Sequence, residues 1–118
     1  MSGRQATEPR SPFMTLFSAW CELSRFADAT ENDADRDIPV RAGCDIERIM
    51  LAMAPASSVD MAAKAYVAMH VLDANKMINS PEQAGDFVNP WAASLMVEIC
   101  QTYPEIAALV SRAEFART

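Results

Sequence analysis

Glycine and long apolar runs are both scarce in this sequence. Only 3 of its 118 residues are glycine, whereas the turns of sheet proteins usually need more. No stretch approaches the roughly eighteen consecutive apolar residues of a membrane-spanning helix, and the first residues lack the apolar segment of a secretory signal peptide. These absences favour a helical protein outside the membrane, which we expect in the cytoplasm.

Clusters of basic residues are absent as well. The chain has 10 lysines and arginines against 16 aspartates and glutamates, which gives a formal net charge of −6. Because affinity for nucleic acid depends on basic clusters, we do not expect direct nucleic-acid binding. An acidic surface is suited to solubility or to a basic protein partner.

Closely spaced metal ligands are also lacking. The three cysteines, Cys21, Cys44 and Cys100, lie far apart, and His70 is the only histidine. Zinc sites normally take their ligands in close pairs such as CxxC, so we predict no metal site. The cysteines are instead expected to be reduced and buried as small apolar residues.

Recognisable catalytic and cofactor-binding motifs are missing too. The sequence contains no phosphate-binding glycine loop, no dinucleotide fingerprint and no glycine-framed nucleophile turn. Asp33, Asp35 and Asp37 alternate like the start of an EF-hand, but Ile38 and Cys44 stand where that loop needs glycine and glutamate. We therefore predict no catalytic residue and no cofactor.

The first apolar pattern follows a polar stretch. Residues 1–10 carry no periodicity and are expected to form a flexible tail, which leaves 11–118 as a single helical domain. Ser11 and Pro12 are typical of a helix start, and we expect this helix to reach about Ala29. Its apolar stripe consists of Phe13, Leu16, Phe17, Trp20 and Leu23.

An acidic segment, residues 28–37, separates this helix from the next. We expect a solvated connection, with Asp37 as the cap of a second helix and Pro39 in its first turn. Pro55 should end that helix, because a residue before proline is pushed away from helical angles. The apolar face expected for the second helix comprises Ile46, Ile49, Met50 and Met53.

The third helix is rich in alanine and methionine. Ser57 and Asp60 have the spacing of a capping box, and the pattern continues to Met77 or Ile78. Asp60 and Lys64 are four residues apart and are expected to form a surface ion pair. The apolar face includes Tyr66, Val67 and His70, so we interpret His70 as a partly buried structural residue.

In the last third of the chain, the cap residues and the apolar spacing predict a loop and one or two further helices. After a loop over residues 79–88, Asn89 and Pro90 begin a helix, and Thr102 with Glu105 begins a short fifth one. The fold class is therefore all-α, a compact bundle of four to five antiparallel helices without a sheet. In these last helices, the residues expected in the core are Trp91, Leu95, Ile99 and Leu109.

Three stretches resemble a loose group of short bacterial proteins that are often carried by prophages. The matching residues are LFSAWCEL (16–23), CDIERI (44–49) and PASSVDMAAKAYVA (55–68), roughly the first two thirds of the chain. The group resembles helical hairpins and has no established activity to transfer. The resemblance implies a phage or mobile-element accessory protein.

Three functions remain open at this point. The first is a small, acidic, non-enzymatic protein that binds a larger protein machine, for example as an inhibitor of a host defence complex. The second is a small-molecule binder or minor enzyme that uses His70 or a cysteine, and the third is a structural homodimer. The candidate partner-binding residues are Asp33, Asp35, Asp37, Glu82, Asp86, Phe87 and Glu98.

Overall fold

Five α-helices and one 3₁₀ helix account for most of the chain that the structure describes. The structure, a computed structural model, describes residues 11–73, 78, 81–86 and 89–111, so the expected tail at 1–10 lies outside these ranges. The predicted all-α fold is confirmed, and these residues contain no strand. The elements are α1 (Pro12–Ala29), α2 (Asp33–Ala52), α3 (Ser58–Leu72), the 3₁₀ helix (Pro81–Asp86), α4 (Pro90–Thr102) and α5 (Pro104–Ser111).

The starts of α1, α3 and α4 are the ones that the sequence predicts. The Ser11 hydroxyl accepts from the Met14 amide at 3.1 Å, and the Ser57 hydroxyl accepts from the Asp60 amide at 3.2 Å. The Asn89 side chain accepts from two amides in the first turn of α4. Each cap satisfies amide groups that have no partner within their own helix.

The start of α2 differs from the prediction. Asn32, not Asp37, caps the helix and accepts from the amides of Ala34 and Asp35 at 2.8 and 3.2 Å. Asparagine is as effective a cap as aspartate, and the acids that follow it favour the positive end of the helix dipole. Pro39 therefore lies inside α2, where it is buried, and most of the expected connection is helical.

The end of α3 also differs from the prediction. The helix stops at Leu72, and Asp73 follows as its C-cap, whereas the pattern indicated Met77 or Ile78. The Asp73 carboxylate accepts from the Asn89 amide at 2.6 Å, which links the end of α3 to the start of α4. Residues 74–77 lie outside the described ranges, and part of the expected 79–88 loop forms the 3₁₀ helix.

The hydrophobic core contains most of the side chains expected there. Leu16 is partly buried against it, while the buried members of the predicted set are Phe13, Phe17, Trp20, Tyr66, Val67, His70, Ile99 and Leu109. At the centre, the Phe17 and Trp20 rings stack with centroids 5.8 Å apart, and both meet the Tyr66 ring edge-on. This cluster joins α1 to α3.

Three residues predicted in the core are exposed instead. Ile49 is 49% exposed because α2 packs mainly against α1, and Ile49 lies about 100° around the helix from the buried Met50. Trp91 and Leu95 are 85% and 37% exposed. The side of α4 that faces the core is formed by Ala92, Ala93, Met96, Ile99 and Cys100.

Asp60 is a structural link and not half of a surface pair, which corrects the prediction for this residue. It is 1% exposed, and its carboxylate accepts from the Ser11 hydroxyl at 2.8 Å and from the Ala56 amide at 3.0 Å. Lys64 instead donates to the Met53 carbonyl at the end of α2. Asp60 thereby connects the starts of α1 and α3, which are 49 residues apart at this contact.

In the part of the chain that the structure describes, no helix combines the length and the apolar character that a membrane crossing needs.

We expect Asp60→Ala to lower the free energy of unfolding by about 2 kcal/mol, because the Ala56 amide and the Ser11 hydroxyl lose a charged acceptor. Urea unfolding measures the change. Asp45→Ala, which removes an exposed acid that pairs with Arg48, serves as the control and should leave the midpoint nearly unchanged. Equal effects of the two substitutions would contradict the role of Asp60.

We expect Tyr66→Phe to destabilise the fold by about 1 to 3 kcal/mol, since a buried donor and acceptor lose their partner. The Tyr66 hydroxyl donates to the Ile78 carbonyl at 2.7 Å and accepts from the Ile78 amide at 2.9 Å. Thermal unfolding measures this loss, with Tyr103→Phe as the matched control for a less buried tyrosine. A Tyr66→Phe variant as stable as the control would contradict the assignment.

Candidate functional site

The acidic residues predicted for partner binding belong to two different parts of the molecule. Asp33, Asp35 and Asp37 are exposed in the first turns of α2. Asp33 pairs with Arg36 at 3.5 Å, and Asp37 pairs with Arg41 at 2.8 Å. Two of the three acids thus take part in ion pairs within α2, and all three lie near the start of this helix.

The remaining acids of the predicted set lie near α4. Glu82 is exposed on the 3₁₀ helix and Glu98 is exposed on α4. A shallow groove of about 370 Å³ runs between these two elements, and Pro81 and Glu98 are among its lining residues. The side chains of Asp86 and Phe87 lie outside the described residues. The structure therefore separates the two acidic segments, because α2 packs mainly against α1 and not against the 3₁₀ helix.

The outward side of α4 presents an exposed indole. Trp91, Leu95 and Glu98 are spaced at i, i+4 and i+7, so they share one side of the helix. We call Trp91, Ser94, Leu95, Glu98 and Gln101 the α4 surface. All five are exposed, and Glu98 is the only charged residue within α4.

A second exposed apolar side chain stands at the end of α3. Leu72, the last residue of α3, is 67% exposed. The hydrogen bond from the Asn89 amide to Asp73 joins the end of α3 to the start of α4, so Leu72 and Trp91 flank the same junction. Sequence reasoning assigned Trp91 to the core; the overlooked signal is the spacing of Ala92, Ala93 and Met96, small and flexible residues that suit close helix contacts.

A cavity of about 230 Å³ lies between α1 and α2, and His70 of α3 borders it. Exposed lining residues, among them Asp28 and Cys44, place its mouth at the protein surface. Its apolar lining residues are Trp20, Leu23, Ala27, Pro39 and Val40, and its polar ones include Ser24, Asp28, Arg36, Glu47 and His70.

His70 is 3% exposed, and neither ring nitrogen has a hydrogen-bond partner within the described ranges of the chain. Its ring meets that of Trp20 nearly edge-on, with centroids 4.6 Å apart. Burial lowers the pKa of His70 to about 4, although the nearby Asp73 acts in the opposite direction. The imidazole is therefore neutral at physiological pH, with one donor and one acceptor nitrogen.

Charged groups around the cavity are partly engaged with the protein. The Trp20 indole N–H donates to Glu47 Oε2 at 2.9 Å, and the Arg36 guanidinium donates to the carbonyls of Ala27 and Thr30. Although Asp28 is exposed by surface area, its partial desolvation at the cavity mouth raises the pKa of its carboxyl group, while the charges of Arg36 and Arg25 oppose that rise. Of the described residues that line the cavity, one is a cation and two are carboxylates.

The cysteines have two different environments. Cys21 and Cys100 are buried, as predicted, and burial raises the pKa of Cys100 to about 11. Cys44 is exposed, contrary to the prediction, because its position on α2 lies away from the buried stripe. Among the described residues, no three histidine, cysteine or acidic side chains are grouped as metal ligands.

Comparisons with known proteins identified no relative of this chain. No protein-family model, no curated protein sequence and no solved structure matches the chain. The resemblance to prophage-carried proteins therefore stays a prediction.

We expect the low pKa of His70 to make the protein less stable as the pH falls from about 6.5 to about 4. Over that range the unfolded chain binds a proton on His70 and the folded protein does not, which costs about 3 kcal/mol in total. Urea unfolding at several pH values, compared with His70→Gln, isolates this contribution from that of the carboxylates. Parallel pH profiles of the two proteins would contradict the buried neutral state.

Proposed function

We propose that this chain is a small, acidic, non-enzymatic protein that binds a larger protein through the α4 surface. The exposure of Trp91 carries the proposal. Tryptophan is among the residues most enriched at energetic hot spots of protein interfaces, because a buried indole combines a large apolar area with one polar N–H group. In the first turn of α4 that indole is 85% exposed.

The chemistry around Trp91 indicates the character of the partner. The stretch from Pro81 to Glu105 contains no lysine or arginine, and Glu82 and Glu98 are exposed near the indole-bearing helix. A complementary partner surface offers an apolar pocket for the indole and basic side chains around it. The partner's pocket could belong to a basic groove that otherwise binds nucleic acid, because this chain carries a net charge of −6 and would be attracted to such a groove.

The resemblance to prophage-carried proteins supports a more specific setting. It favours a host or phage machine as the partner, including a defence complex whose basic groove this protein would occupy. The acidic charge is the physical reason, since an acidic surface competes with phosphate groups for basic side chains.

A homodimer is the weaker alternative for the α4 surface. In a twofold dimer the same patch meets itself, so Glu98 and its surroundings would face identical groups. Like charges brought together at an interface oppose association, and no basic residue of α4 is present to offset them. A different protein with basic groups fits this surface better than a second copy.

We expect Trp91→Ala to weaken partner binding at least about thirtyfold, the loss typical of a hot-spot residue. The side chain is exposed, so thermal stability should change little. Affinity capture with the wild-type protein identifies candidate partners, and titration of each one with both proteins measures the change in dissociation constant.

Two further variants define the interface in that experiment. Ile38→Ala removes an exposed apolar side chain from α2 and should leave binding unchanged. Reversing the charges of Asp33, Asp35 and Asp37 together should also leave binding nearly unchanged. A partner that tolerates Trp91→Ala but is lost on this reversal would place the interface on α2 and contradict the proposal, as would a stable dimer mass that depends on Trp91.

A further inference from the structure

The unpartnered imidazole of His70 is unusual for a buried polar group. Nearly all buried polar side-chain atoms in proteins have a hydrogen-bond partner, so an exception requires an explanation. Among the residues that the structure describes, neither ring nitrogen of His70 has such a partner, although the residue is 3% exposed. Because His70 also borders the cavity between α1 and α2, the missing partner is expected among molecules that enter this cavity.

The volume of the cavity limits what can enter. At about 230 Å³ it is larger than the roughly 150 Å³ apolar cavity that takes up benzene in another protein. It is smaller than the pockets of roughly 300 Å³ or more that hold drug-sized ligands. A single ring with one small polar substituent is therefore the appropriate size.

The walls of the cavity favour a flat, partly apolar molecule. Trp20, Pro39 and Val40 provide apolar surface from both helices that form the opening. The Trp20 indole is held in place by its hydrogen bond to Glu47 and by its ring contact with Phe17, so this wall is organised before a ligand arrives. A preorganised site saves the entropy of ordering side chains on binding.

The polar groups favour a ligand that is positively charged and donates hydrogen bonds. Asp28 and Glu47 supply carboxylate oxygens, and a carboxylate accepts several hydrogen bonds, so the indole N–H does not exhaust Glu47. Arg36, the cation among the lining residues, already donates to carbonyls of Ala27 and Thr30. Neutral His70 adds an acceptor nitrogen to this set.

We propose that the cavity between α1 and α2 is a binding site for a small planar cation with N–H donors, such as an amidinium or a protonated aminoheterocycle. The ligand donates to Glu47, while its ring lies against the apolar wall formed by Trp20, Pro39 and Val40. Both His70 nitrogens are buried in the structure, so the His70 ring turns toward the cavity when its acceptor nitrogen takes a hydrogen bond from the ligand. Asp28 at the mouth adds a second negative charge. The site does not involve the α4 surface, so it is independent of the protein-binding function.

Three probes of nearly identical shape test this proposal: benzamidine, benzamide and benzoate, which are cationic, neutral and anionic. The full chain is used with Trp91→Phe, which leaves Trp20 as the single indole, and Trp20 fluorescence is titrated with each probe. We expect benzamidine to bind at least about tenfold more tightly than benzamide, the gain typical of hydrogen bonds to a charged group. Benzoate should not bind.

A second readout uses the cysteine at the cavity mouth. Cys44 is exposed while Cys21 and Cys100 are buried, so a thiol reagent modifies Cys44 first. Bound benzamidine should slow this reaction, and benzoate should not. Modification at the same rate with and without saturating benzamidine would place the bound probe elsewhere and overturn the proposal.

Matched variants connect the affinity to the named residues. Glu47→Gln keeps an acceptor for the Trp20 indole but removes the charge, and it should weaken benzamidine binding about tenfold or more with little effect on benzamide. Asp45→Asn, an exposed acid on the same helix, is the control and should change neither. Equal affinity for all three probes, binding of none of them, or an unaltered affinity in Glu47→Gln would each overturn the proposal, the second by indicating a cavity that holds water only.

Discussion

The indole of Trp20 is the contact on which three helices depend. It stacks on Phe17 within α1 and meets Tyr66 of α3 edge-on, with centroids 6.3 Å apart. Its N–H reaches Glu47 of α2, and its ring contacts His70. A single side chain thus combines apolar burial in the core with a polar link to the helix that contributes least to that core.

The attachment of α2 explains why a cavity exists at this place. Pro39 and Met50 are the buried residues of this 20-residue helix, so apolar packing against α1 is narrow. Polar contacts supplement it, because Arg36 donates to carbonyls at the end of α1 and Lys64 donates to the carbonyl of Met53, the residue that caps the end of α2. Helices joined by a narrow stripe and by long side chains leave space between them, and His70 borders that space.

The end of α3 is connected to both candidate regions. His70 borders the cavity, while Asp73, the C-cap three residues later, accepts from the Asn89 amide at the start of α4. Side chains three residues apart on a helix lie on the same side of it, yet here each contacts a different neighbour because the helix ends between them. The α4 surface and the cavity are therefore separate sites, with different charge and shape requirements, on one small protein.

Local signals explain which helices the sequence predicted correctly. The caps Ser11, Ser57 and Asn89 act on amides two or three residues away, so the sequence alone determines these helix starts. The scarcity of glycine and the helical spacing of apolar residues likewise determine the all-α class. The sequence did not predict the start of α2 correctly, because Asn32 and Asp37 can both cap a helix. Local sequence does not determine which of the two residues forms the cap.

Burial and sites depend on contacts that the sequence does not specify by itself. The tertiary structure decided that alanines, and not Trp91, face the core from α4, because close helix approach selects small side chains at that contact. It also decided that Asp60 bonds Ser11 and that His70 borders a cavity. These outcomes join residues far apart in the chain, and the free energy of such contacts depends on which helices meet, whereas a cap or an apolar period is determined within a few neighbouring residues.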